Sequence, residues 1–249
     1  MPSSPFTRTA LNLAAIAAAG ALALTACGTG GDTAATSAPT DATSSAPATT
    51  GAPASTATLP TETKTDAPTH SDESLATILK SVKVGDKAVE PMPMAQVRPG
   101  LKAAMPTVTP KACEFAATGV SPLVAGGAPA SMAVTSTGLT IAVVDAGTEA
   151  EAKEYAKNRD GLLTDPQCKA VKVVAGETSV EVKISGKDID IADVDDEKVI
   201  ETDGTSAAGP TKAASVLSTK GRMIILVTNN ASTDTTQVKA VITDIAGKL

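Results

Sequence analysis

Apolar positions along the chain change period four times, and each change marks an element. Leu75, Ile78, Leu79 and Val82 fall at i, i+3, i+4 and i+7, with Ser71 or Asp72 before them as a cap, which predicts an amphipathic helix. Residues 85–94, holding Pro91 and Pro93, read as an irregular extended passage, and 100–105 as a short helical turn. Thr109-Pro110 reads as a cap followed by proline at the first helical position, so 110–118 is expected to be a second helix carrying Cys113 and Phe115. From Ala130 the period is two. Residues 131–137 and 139–145 flank Gly138 as a hairpin. Thr148 and Glu151 have capping-box spacing, and Ala152, Tyr155, Ala156, Arg159, Leu162 and Leu163 follow on one face of a helix that ends before Pro166.

The second half alternates apolar with charged residues. Segments 169–175, 179–185 and 188–194 read as strands joined at Gly176 and Gly186, with Val180, Val182 and Ile184 inward and Glu181 and Lys183 outward. Segments 198–202 and 213–218 continue the meander, and Lys220-Gly221 turns into 222–228. The run Met223-Ile224-Ile225-Leu226-Val227 does not alternate, which predicts a central strand covered on both faces. Val238, Val241, Ile242 and Ile245 close the chain with a helix, capped by Ser232 or Asp234. The sum is an α+β fold: an antiparallel sheet of about six or seven strands packed with several helices.

Before Ser71 neither period holds. Arg8 is the only charged side chain of the first 26 residues, and 10–24 is an apolar run of about fifteen residues, too short for the roughly 20 that span a bilayer. The run ends in Leu24-Thr25-Ala26-Cys27, which resembles the bacterial lipobox, with Gly28 following. That resemblance implies cleavage before Cys27 and a lipidated Cys27 at the mature N-terminus, placing the protein on the extracytoplasmic face of the cell membrane. A secreted protein cleaved near Ala26 is the plain alternative. Residues 28–70 are nearly all Ala, Thr, Ser, Pro and Gly, so 27–70 is expected to be a disordered tether, spanning on the order of 35–40 Å, and 71–249 the folded domain.

Composition then removes chemistry. Of 249 residues only 1% are aromatic and one is histidine, His70, so a His-based triad, a multi-His metal site or a His acid–base pair is excluded within this chain. The net charge of −6, with no basic stripe or stacking surface, excludes nucleic-acid binding. Losing Arg8 with the signal leaves the mature chain more acidic still, so the lipid alone must hold it to an anionic membrane.

Cys113 and Cys168 are the two cysteines left beside Cys27, and in an exported domain they most simply form one disulfide. A redox pair would favour C-x-x-C spacing, and two cysteines without histidine make a poor zinc site. The acidic run Asp188, Asp190, Asp193, Asp195, Asp196 and Glu197 departs from the EF-hand pattern, since Ala192 replaces an oxygen ligand; a solvated strand face explains it better, and no metal or cofactor is expected. No S-x-x-K, G-x-S-x-G or phosphate-loop motif is present; Glu114, Glu151 and Glu154 with Asp145 could supply a carboxylate pair of the glycosidase kind, but Glu151 and Glu154 sit on a helix beside lysines and read as surface charges, so the chain is not expected to be an enzyme. Gly126-Gly127 reads as a turn and Asn230-Ala231-Ser232 as a helix start rather than a glycosylation site.

The lipobox, the Thr/Ala/Pro tether, the Leu-rich helix, Val108-Thr109-Pro110-Lys111-Ala112-Cys113 and Asp165-Pro166-Gln167-Cys168 together resemble actinobacterial cell-envelope lipoproteins whose outer domain is similar to the extracellular sensor domain of the mycobacterial kinase PknH. That family typically has two disulfides and a cleft between sheet and helices; this chain has cysteines for one. The resemblance implies a non-catalytic module binding an envelope ligand or protein partner, with no ligand-binding residue transferable. The alternatives are an envelope lipid carrier, its aliphatic interior enclosing an acyl chain, and a structural assembly lipoprotein.

Overall fold

Ser71 is extended, and its hydroxyl accepts the Ser74 N–H at 3.2 Å while the Ser74 hydroxyl accepts the Ser71 N–H at 2.9 Å. This reciprocal cap starts α1 (Asp72–Lys80) where the sequence places it, with Leu75, Leu79 and Val82 fully buried. The computed structural model describes residues 70–176, 178–206 and 209–249. The predicted signal segment, Cys27 and the tether up to residue 69 lie outside the described residues.

After α1 come a small ribbon, β1 (Lys83–Val84) and β2 (Lys87–Ala88), then β3 (Pro91–Met92) and α2 (Met94–Ala103). Next are β4 (Thr107–Thr109), a 3-10 turn (Lys111–Cys113), α3 (Phe115–Thr118) and α4 (Ser121–Ala125). The hairpin β5 (Ala130–Val134) and β6 (Leu139–Asp145) leads to α5 (Glu149–Thr164) and a second 3-10 turn (Pro166–Lys169). Four strands follow, β7 (Ala170–Ala175), β8 (Thr178–Asp188), β9 (Asp195–Ser206) and β10 (Gly209–Lys220), then β11 (Met223–Asn229) and α6 (Thr236–Ala246). Nine strands form one antiparallel sheet in the order β3-β5-β6-β11-β10-β9-β8-β7-β4. Seven of them are long. The two beyond that number are the edges, of two and three residues, and prolines bracket both: Pro91 and Pro93 at one end, Pro106 and Pro110 at the other.

The sheet is covered unequally. At β6, β11 and β10 one face (Ile141, Val143, Val216, Ile225, Val227) packs under α1 and α6, while Ala142, Val144, Leu217, Ile224 and Leu226 pack on the other against α2, α4 and α5. All seven residues of β11 are buried, as its unbroken apolar run requires; each such aliphatic side chain contributes roughly 1.5–3 kcal/mol. In the wing β9-β8-β7-β4 the buried apolar residues lie on one face, apart from Val199 of β9, which joins the cluster under α1 and α6. Val171, Val173, Val180, Val182, Ile184 and Ile200 cover the Cys113–Cys168 disulfide together with Ala116, Ala117 and Leu162. The predicted disulfide is formed, with Cα atoms 5.4 Å apart and both cysteines buried.

Four local expectations are corrected. Segment 188–194 is not a strand: Asp188 ends β8, Asp193 takes a φ of 65° that breaks an extended ladder, and β9 opens at Asp195. Its in–out alternation survives, with Ile191 buried and Asp190 and Asp193 exposed. Gly186 makes no turn; it pairs with Ile200 inside β8, where a Cβ would stand 2.6 Å from Leu163 Cδ1, so the glycine admits α5 against the sheet. The short helix expected at 100–105 begins at Met94. Pro99 argues for a break by removing a donor, but Met94, Val97 and Leu101 make one buried stripe that holds the helix through it. Thr109-Pro110 does not start a helix, because Thr109 is drawn into the ladder opposite Lys172 and Pro110 stays extended. The capping box of α5 is also only half formed: Thr148 Oγ1 accepts the Glu151 N–H at 3.1 Å and donates to Glu151 Oε2 at 2.9 Å.

Candidate functional site

Register alone assembles a polar floor on the uncovered face of the wing. Thr109 stands opposite Lys172, Lys172 opposite Glu181, and Glu181 opposite Thr205, which makes one rank across four strands. Two residues along, Ala170 stands opposite Lys183, Lys183 opposite Asp203, and Asp203 opposite Lys212, which makes a second. Paired residues share a face, and so do residues i and i+2, so all of these side chains project away from the disulfide. Of these, Glu181 and Lys183 are the outward residues that the alternation of 179–185 predicts. What the alternation does not reveal is that, among the described residues, no helix covers these two ranks, and that Thr109, Lys172, Glu181, Lys183, Asp203 and Thr205 line a hollow of about 410 Å³. Lys172, Glu181, Lys183, Asp203, Thr205 and Thr109 are all exposed, and Asp203 pairs with Lys212 at 3.5 Å.

A second polar cluster is buried at the opposite end of the sheet. Asp145, the last residue of β6, is fully buried. Its Oδ1 accepts from Arg222 Nε at 2.6 Å and from the Gly147 N–H at 3.0 Å, and its Oδ2 lies 3.2 Å from His70 Nδ1 and accepts the His70 N–H at 3.3 Å. Burial pushes the Asp145 carboxyl up, but the Gly147, Arg222 and His70 bonds outweigh it and hold the group below its ordinary 3.8. This cluster fastens the start of the domain to the central sheet. Sequence reasoning placed these three residues in separate roles, and only strand pairing of β6 with β11 brings Asp145 near Arg222. Asp72 and Arg98 make a similar clamp between α1 and α2 at 2.5 and 2.8 Å, with Arg98 also donating to the Val124 and Ala128 carbonyls. The Arg98 hydrogen bonds, offset in part by burial, lower the Asp72 carboxyl below 3.8.

The remaining candidates are placed as follows. The acidic run disperses: Asp188 pairs with Lys198 at 3.2 Å, Asp196 Oδ2 accepts the Thr219 hydroxyl at 3.2 Å, and Glu197 accepts the Ile191 N–H at 3.4 Å. Among the described residues no three His, Cys, Asp or Glu gather as a metal group. Glu114 pairs with Lys111 at 3.6 Å, and Glu151 serves Thr148. Asn230 uses Nδ2 to hold the Gly138 carbonyl and the Thr140 hydroxyl at 3.1 and 2.8 Å, a loop clasp before α6. Arg159, read as one of the inward residues of α5, is fully buried and donates to the Leu217 carbonyl at 2.7 Å and to the Asp196 carbonyl. The interior a lipid carrier would hollow out is occupied here by the chain's own side chains: Leu75, Leu79, Val238, Val241, Ile242 and Ile245 sit at 0–2% exposure between helices and sheet. Cys27 lies outside the described residues.

No protein-family model and no curated protein matches the sequence. Among solved structures, the chain is similar to an uncharacterized protein from Mycobacterium smegmatis, at a TM-score of 0.32 and 13% identity, covering 57% of this chain and 75% of that one. A likeness that weak transfers neither fold nor function.

Proposed function

We propose that this chain is a non-catalytic envelope lipoprotein, anchored through Cys27 and displaying residues 71–249 as a sensor-like binding domain at the extracytoplasmic face. One observation carries the placement: Leu24-Thr25-Ala26-Cys27 directly follows an apolar run too short to span a bilayer. A buried disulfide between Cys113 and Cys168 agrees with an oxidising compartment. The binding role is supported by the uncovered hollow on the wing, since the sheet elsewhere lies between helices. Its polar floor presents hydrogen-bonding and charged groups suited to a ligand or partner. The absence of catalytic sequence motifs and of a histidine beyond His70 supports recognition rather than turnover.

Intact-mass analysis of the membrane fraction tests the placement. Wild-type chain is expected to carry acyl groups on Cys27, Cys27→Ser is expected to lack them, and an inhibitor of signal peptidase II is expected to leave the chain uncleaved, with residues 1–26 retained ahead of a thioether-acylated Cys27. A free sulfhydryl at Cys27 on a protein recovered from the culture fluid would sink the reading.

A further inference from the structure

The charges in the hollow are ordered. Lys172 on β7 and Lys183 on β8 occupy one diagonal of the two ranks, and Glu181 on β8 and Asp203 on β9 occupy the next. Neighbouring strands are about 4.8 Å apart and the ranks about 6.8 Å, so a basic stripe runs beside an acidic stripe at one strand spacing. Directly opposed opposite charges on neighbouring strands gain roughly 0.2–1 kcal/mol by closing into cross-strand pairs. Here Lys172 faces Glu181 and Lys183 faces Asp203, yet among the described residues neither couple forms an ion pair, and Asp203 turns instead to Lys212. Lys172, Lys183 and Glu181 keep their charges directed at the hollow, flanked by the hydroxyls of Thr109 and Thr205. The volume, about 410 Å³, falls in the range of small-molecule sites, and the lining offers no aromatic platform.

Resting on the binding-domain reading above, we propose that this hollow takes a short zwitterionic peptide. The peptide carboxylate lies on the Lys172/Lys183 stripe and its ammonium on the Glu181/Asp203 stripe. Both contacts are solvent-exposed, so binding is weak and screened by salt.

Titration calorimetry on the full acylated chain in neutral detergent tests this with glycylglycine, its N-acetylated form and its C-terminal amide. The expected result is saturable binding of glycylglycine, with each blocked form about two- to fivefold weaker, the loss that corresponds to one missing exposed charge contact of about 0.4–1 kcal/mol. Lys172→Gln with Lys183→Gln is expected to erase the difference between glycylglycine and its amide, and Glu181→Gln the difference between glycylglycine and its acetylated form. These exposed positions leave the thermal transition in place, so loss of binding is not loss of fold. Equal binding of all three probes, no binding of glycylglycine, or a preference for glycerophosphoethanolamine overturns the peptide assignment. Any of these with Cys27 acylated leaves the placement standing, whereas a bare Cys27 on a chain that binds glycylglycine overturns the placement alone.

Discussion

Asp145 shows how a single side chain can carry stability that its position in the sequence does not advertise. It is a carboxylate with no exposure, and three neighbours share its two oxygens. Replacing it with alanine leaves the Arg222 guanidinium, itself mostly buried, without its partner, and breaking one side of such a pair costs about 3–5 kcal/mol. Asp145→Ala is therefore expected to lower unfolding free energy by that order in urea titrations at pH 7. Asp145→Asn keeps the shape but not the charge and is expected to fall between. The pH dependence has a definite sign. The folded-state pKa lies below 3.8, so the stabilisation is fully present above about pH 4 and is lost as pH falls through the lower folded value. Asp72, lowered by Arg98, adds to the same slope. Wild-type chain is expected to lose stability steeply on acidification below about pH 4, and Asp145→Asn to show a shallower loss. An identical slope in both would remove Asp145 from the acid transition.

Among elements, the disulfide and α5 decide how the wing is held. Cys113 follows β4 and Cys168 precedes β7, at a sequence separation of 55, so the bond fastens the first 3-10 turn to the second under the apolar face of the wing. In the chain-entropy treatment a loop of that length contributes roughly 4 kcal/mol. Cys113→Ser with Cys168→Ser is expected to lower stability by about 2–5 kcal/mol, read from denaturant unfolding. A double variant as stable as wild type would show that the packing of Val171, Val173, Val180 and Val182 is sufficient alone. The pairing of these cysteines was legible by counting, because two thiols in an exported domain have one partner each. Gly186 was not legible. A glycine between alternating residues reads as a turn, and only the approach of Leu163 explains why a residue without a Cβ stands inside a strand. The strand expected at 188–194 failed for a related reason: alternation records which side is buried, not whether the backbone is paired.

At the scale of the whole molecule, both edges of the nine-stranded sheet are short and bracketed by proline, which removes donors from the rows where another chain would pair. Residues 70–249 are accordingly expected to sediment as a monomer at micromolar concentration, and a concentration-dependent dimer would show that edge protection is insufficient. The sequence by itself determined the α+β class, the doubly covered strand β11, the single disulfide and the outward pair Glu181 and Lys183. Each of these depends on a period or a count within a short stretch, and such patterns are set by which side of a segment meets water. Tertiary structure alone decided that α1 and α6 cover one half of a sheet face and leave the other half open, that His70, Asp145 and Arg222 share one buried cluster, and that opposite charges from β7, β8 and β9 line a common hollow. Those outcomes depend on which distant segments become neighbours, a property of chain topology that no local pattern of apolar and polar residues encodes.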